Sequence, residues 1–165
     1  MLFRSEAMSI SDQIVVMAAG VLQQMGPPQD VYDDPDNLFT AKFLGTPAIN
    51  VFHGTVRAEK LYIGDTAVLD VPGVADQEVW AGIRPEGFVI SADGPFVPEL
   101  IRVEVMGRDT SVVCRHPACE NDTIRAIVPS DSVNREEKTV RFALKPAKVH
   151  LFAKDTEQRI RTGGK

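Results

Sequence analysis

The sequence predicts a mainly β protein: a small barrel or sandwich preceded by a helix, a β-hairpin and two short helices. Three observations predict it. After Ile49 the chain alternates short β-rich runs with Gly, Pro and Asp turns, a spacing typical of small barrels and sandwiches. Before Ile49 the texture is different, with capped helical stretches and one apolar hairpin. The hydrophobic fraction, 44% of 165 residues, is enough for a sizeable buried core.

Element by element, Ser5 precedes Glu6-Ala7-Met8 and reads as an N-cap, with a helix ending near Asp12. Ile14-Val15-Val16-Met17 is a continuous apolar run, which predicts a strand covered on both faces. Ala18-Ala19-Gly20 supplies a turn and Val21 to Met25 the returning strand. Pro28 opens a helix through Tyr32. Asp34-Pro35 breaks it, because a residue before proline is pushed out of helical geometry. Asp36 or Asn37 then caps a helix from Leu38 to Leu44, which Gly45 ends. The strands that follow are NVFHGTVR, KLYIG, TAVLDV, EVWAGI, GFVIS, LIRVEVMG, TSVVCRH, TIRAIVP, KTVRFALK and KVHLF. The tail TEQRIRTGGK is polar and expected to fray. The expected organisation is residues 1–46, 47–160 and a tail at 161–165.

Composition narrows the function. Net charge is −5, from 18 basic and 23 acidic side chains, which disfavours a nucleic-acid partner. No apolar run is long enough to span a bilayer, so no membrane insertion is expected. MLFRSEAMS carries no export-signal pattern, and the two cysteines suit a reducing, cytoplasmic compartment.

The first fifty residues resemble the segment that ends the nucleotide-binding domain of ABC importer ATPases for sugars, glycerol phosphate and related solutes. The family form runs EAM, D-x-IVVM, G-x-(I/L)-x-Q-x-G, P-x-x-(L/I/V)-Y-x-x-P, then NxFVAxFIGxPxxN. The equivalents here are Glu6-Ala7-Met8, Asp12, Ile14 to Met17, Gly20, Gln24, Gly26, Pro28, Tyr32, Pro35, Asn37, Phe39, Phe43, Gly45, Pro47 and Asn50. WAGIRPEGFVI is similar to the GIRPE element of these ATPases' C-terminal regulatory domain. PAKVHLFAKDTEQRI resembles its closing signature, with Ala153 and Gln158 as departures. The resemblance implies a transport-associated OB-like barrel for residues 47–160, and the tail of the ATPase domain for 1–46.

Phosphate-loop hydrolysis needs G-x-x-x-x-G-K-[ST], whose amides and lysine hold the phosphates. The only Gly-Lys pair is Gly164-Lys165, with Arg159 where the first glycine should stand. Leu2 and Phe3 occupy the positions where the family carries its switch histidine and aspartate. The expectation is a regulatory and dimerisation region that is not catalytic alone and holds no cofactor, whereas full-length members use ATP and magnesium. Its implied partners are a second copy, a second ATPase subunit and membrane permease subunits, at the inner face of the cell membrane. Two rivals are a small-ligand barrel for oxyanions or sugar phosphates, and one part of a split ATPase needing a separate N-terminal portion.

Candidate contact residues are Arg84, Glu86 and Trp80. Arg84 offers a planar fork for a carboxylate or phosphate, and an internal Arg84–Glu86 pair would equally pin the loop. Trp80 suits the core, or an interface anchor. Without the sheet that the resemblance implies, Ile14, Val15, Val16 and Met17 are expected to expose an edge and an apolar surface, a candidate dimerisation edge that would otherwise dock on the barrel. Cys114, His116 and Cys119 fall short of the four ligands usual for structural zinc and read as a reduced thiol pair. No nucleophile pattern accompanies His53 or His150. Asp33-Asp34-Pro35-Asp36 lacks the glycine and distal glutamate of a calcium loop and reads as helix capping.

Overall fold

The structure, a computed structural model, describes residues 13–163. The helix expected over Glu6 to Asp12 lies outside these residues. Strands β1 (Ile14–Ala18) and β2 (Val21–Gly26) form a hairpin, followed by helices α1 (Pro28–Asp33) and α2 (Leu38–Phe43). The β-rich part contains β3 (Asn50–Arg57), β4 (Lys60–Ile63), β5 (Thr66–Asp70), β6 (Gln77–Ile83), β7 (Phe88–Ile90) and β8 (Glu99–Met106). It continues with β9 (Asp109–Arg115), β10 (Ile124–Pro129), β11 (Phe142–Leu144), β12 (Val149–Ala153) and β13 (Arg159–Ile160).

In the hairpin, Ala18 pairs with Val21, leaving Ala19 and Gly20 as a two-residue loop. Both have positive φ, 49° and 80°, as a turn matched to the twist of its strands requires. The cover that a continuous apolar run calls for is present on one face, and the other face is open. Val16 is buried with Val31 and Leu44, whereas Val15 and Met17, paired with Met25 and Leu22, are about half exposed. Apolar partners for β1 come from one side only among the described residues: the helices pack there, and β2 is its only paired strand.

The β-rich part is OB-like. A six-stranded sheet in the order β13-β12-β6-β3-β4-β5 wraps one side of the core, and a three-stranded sheet, β10-β9-β8, supplies the other. Phe52, Val56 and Ile63 from the large sheet meet Val112, Ile124 and Ala126 from the small one. Phe52 lies edge-on to Phe96 at 5.5 Å, and Phe88 edge-on to Phe142 at 5.1 Å. Asn50 links the sheets: its side-chain amide donates to the carbonyls of Ile83 and Arg125 and accepts from the Arg125 amide.

Strand alternation explains how the helical segment is held. Val79, Ala81 and Ile83 of β6 point into the barrel core. The intervening face carries Trp80, and with Val51 and Phe152 it meets Leu38 and Ala41 of α2. The middle of the large sheet is thus covered twice, by the barrel core and by the helices. Asn37 caps α2, its side-chain oxygen accepting from the Thr40 amide at 2.9 Å.

The closing segment is tied down, unlike the fraying expected from its composition. Arg159 and Ile160 pair with Phe152 and Leu151, and the Gly163 amide donates to the Pro72 carbonyl at 2.7 Å. Ion pairing and backbone hydrogen bonds do what the scarce apolar residues of the segment cannot. No helix among the described residues is long and apolar enough to cross a membrane.

Candidate functional site

Arg84 stands where β6 ends and a one-turn 3-10 segment, Pro85–Gly87, begins. Its side chain leaves the sheet and enters the helical segment, where it is 1% exposed. Nη1 donates to the carbonyls of Ala41 and Leu44, and Nη2 to that of Tyr32, each at 2.9 Å. A short helix ends with carbonyls that have no intrahelical partner and carry partial negative charge. The guanidinium meets those of α2 with a fork that lysine cannot imitate. It also stacks on the Tyr32 ring, 3.9 Å from the centroid. Burial lowers the affinity of Arg84 for its proton, and the charges of Glu86 and Asp33 are among those that oppose the loss. Gly45 makes room: a Cβ there would lie 3.1 Å from the Tyr32 ring, and its φ of 103° suits glycine.

Glu86 does not form the internal pair with Arg84 that the sequence suggests. It accepts the Tyr32 hydroxyl at 2.7 Å and lies 3.6 Å from Lys148, which also faces Asp33 at 3.8 Å. The reason is the set of open carbonyls, which takes up the arginine and leaves the carboxylate to the phenol. Burial and the Glu86 hydrogen bond both raise the Tyr32 pKa, so Tyr32 stays a donor.

A second tie joins the same parts. Arg159 donates to Asp34 at 2.8 Å and to the Pro35 carbonyl at 3.0 Å, while Arg161 reaches Asp34 and Asp36, each at 3.1 Å. Burial would raise the Asp34 pKa, but hydrogen bonds and charge from Arg161 and Arg159 hold it below the ordinary value. Asp34 and Asp36 of DDPD therefore serve as partners for the closing segment. The helix cap falls to Asn37.

Trp80 is half-buried beside α2, its outer face covered by the Lys154 ammonium at 3.6 Å and by His53 at 4.5 Å. Arg84, Glu86 and the helix-facing side of Trp80 thus lie along one seam, and of the β1 residues only Val16 is buried near it. Sequence reasoning missed Tyr32, Lys148, Arg159 and Arg161 as seam residues. Tyr32, Lys148 and Arg159 lie within stretches that carry the family resemblance, but nothing in those stretches shows that they meet. Cys114 is buried, its pKa pushed up to about 12 by burial, and Cys119 is half-buried. Among the described residues no group of His, Cys, Asp or Glu is placed to hold a metal ion.

Known proteins match along the same lines. Residues 50–90, which include Arg84 and Glu86, match the CysA C-terminal regulatory domain family. Nearly the whole chain, 96%, is 35% identical to the sn-glycerol-3-phosphate import ATP-binding protein UgpC 2 of Agrobacterium fabrum. Along nearly its whole length the chain is similar to ATP-binding proteins of ABC importers. The alpha-glucoside transport ATP-binding protein AglK of Rhizobium meliloti is 36% identical over 89% of the chain. The sulfoquinovosyl glycerol transport ATP-binding protein SmoE of Agrobacterium fabrum is 31% identical over 94%. The chain spans less than half the length of these relatives: 44%, 43% and 45%.

Proposed function

We propose that this chain is the regulatory and dimerisation region of the ATP-binding subunit of an importer for sugars or related solutes, and that it does not hydrolyse ATP by itself. In this reading residues 1–46 belong to the tail of the ATPase domain and 47–160 to the regulatory barrel, with 161–165 as its end. The observation that carries it is the Arg84 anchor. A barrel residue closes the end of a helix in the segment that resembles the ATPase domain, so movement of the barrel is passed to that segment. Barrels that stay paired would hold two ATPase halves at high effective concentration. An effector that prefers one barrel arrangement would then shift the equilibrium between open and closed ATP sites.

The partners in this reading are a second copy, a second ATP-binding subunit and the permease, at the inner face of the membrane. ATP and magnesium would be bound by the full-length protein. Sedimentation equilibrium and a phosphate-release assay on the purified chain test the reading. It expects a reversible dimer and no turnover of ATP. A strict monomer removes the pairing role, and magnesium-dependent hydrolysis removes the non-catalytic one.

A further inference from the structure

Strand β8 (Glu99–Met106) lies at the end of its sheet and pairs only with β9. Its outer edge is occupied at the start alone. There the Leu100 amide donates to the Lys138 carbonyl at 2.8 Å, and Glu99 bridges to Thr139. From Arg102 to Met106 the outer edge has no backbone partner among the described residues. The loop that carries Arg135 and Glu137 stands off from the first half of β8 across a cavity of about 310 Å³.

The hairpin fixes which groups face outward. Met106 pairs with Asp109 across a two-residue turn, Gly107-Arg108, in which Gly107 has a φ of 75°. Residues that close such a turn exchange hydrogen bonds, and bonded and non-bonded pairs then alternate along an antiparallel ladder. No irregularity interrupts the ladder between Arg102 and Met106. Glu104 and Arg102 therefore bond to β9, whereas Val103 and Val105 turn their amides and carbonyls to the free edge. Val105 is 55% exposed.

An open edge attracts strands, and edge charges commonly keep them away. For a second copy of β8 the charges act the other way. Arg102 and Glu104 lie on one face, 2.7 Å apart. An antiparallel copy presents them in reverse order, so each Glu104 meets the other copy's Arg102, opposite or diagonally. The valines meet on the other face.

We propose that two copies of this chain pair antiparallel through the free edges of β8, with Val103 and Val105 supplying the hydrogen bonds and Arg102 and Glu104 the ion pairs. The inference rests on the dimerisation reading and gives it a surface. The contact is small, so a dissociation constant of about 0.1 mM or tighter is expected. Sedimentation equilibrium on the full chain, from about 10 µM to 1 mM, tests the pairing, and amide exchange over the same range tests the surface. The Val103 and Val105 amides should gain protection as the dimer forms, whereas Glu104, already bonded to β9, should change little. Val105→Pro removes one outward donor and spares the ladder to β9, so it should weaken the dimer about tenfold with circular dichroism unchanged. If Val105→Pro does not fold, Arg102→Glu at an exposed position decides, and it too should weaken pairing about tenfold. A dimer undiminished in the deciding variant, or one that leaves Val103 and Val105 unprotected, overturns the β8 surface and leaves the pairing reading in place. A strict monomer overturns both.

Discussion

Arg84 is a charged side chain placed where a hydrophobic one would be expected, and its neighbours explain why it is tolerated. Three carbonyls and an aromatic face replace most of the water it gave up, although Nε is buried without a partner among the described residues. Lysine would keep the charge and lose the fork, so Arg84→Lys should cost about 2–4 kcal/mol of stability, read as a lower urea midpoint. His150 gives a second residue-scale prediction. Burial, with the nearby charges of Arg159 and Arg84, lowers its pKa to about 3 in the folded chain against an ordinary 6.5, so between these values the unfolded chain binds a proton that the folded chain does not. Stability therefore falls as pH drops through this window, by up to about 1.4 kcal/mol per pH unit from this group. Replacing His150 with Gln should flatten that part of the profile in pH-resolved urea melts. An unchanged slope would show that carboxylates dominate the loss. The sequence pointed to Arg84 because the arginine sits in a motif. It could not reveal the partners, since backbone carbonyls leave no trace in residue identity.

Elements were more legible than sites. NVFHGTVR became β3 without adjustment, because alternation and a closing turn fix a strand locally. The short strand β13 was not legible, since Arg159 and Ile160 owe their place to Asp34, Asp36 and β12, far away in the chain. The run Ile14 to Met17 is legible in a different way: an apolar run says that a strand wants cover on both faces, and Val15 and Met17 show where that cover is missing. Its open face offers another test. Met17→Lys with Leu22→Glu changes exposed positions that face one another across β1 and β2. This pair should change stability by no more than about 0.5 kcal/mol yet lower self-association in light scattering. Val16→Asp, on the packed face, should instead unfold the hairpin, by burying an unpaired carboxylate.

At the scale of the molecule, the seam makes helices and barrel one unit. Leu38, Ala41, Val51 and Phe152 share a core, and Arg84, Arg159 and Arg161 bind the same helical segment from two sides. Urea unfolding followed by the single tryptophan, Trp80, should therefore coincide with loss of amide protection in α2. Arg84→Ala should separate the two, with α2 exchanging earlier while the barrel transition persists. Coincident transitions in that variant would show that the apolar contacts suffice. The whole-chain fold class was readable because burial and turn spacing repeat through a hundred residues. The seam was not, because each of its contacts joins distant parts of the chain only once.

The second tie also sets a clock. Asp34 and its partners Arg159 and Arg161 are 125 and 127 positions apart. At roughly 5–20 residues per second, a ribosome needs about 6–25 s to travel that far. Through that interval the helical segment has left the exit tunnel without the arginines that clasp it, and the apolar face of its hairpin is open to any nascent neighbour. Asp34 and its two arginines meet last, so early release from the ribosome should leave the helices and the hairpin, rather than the barrel strands, as the part that chaperones must shelter.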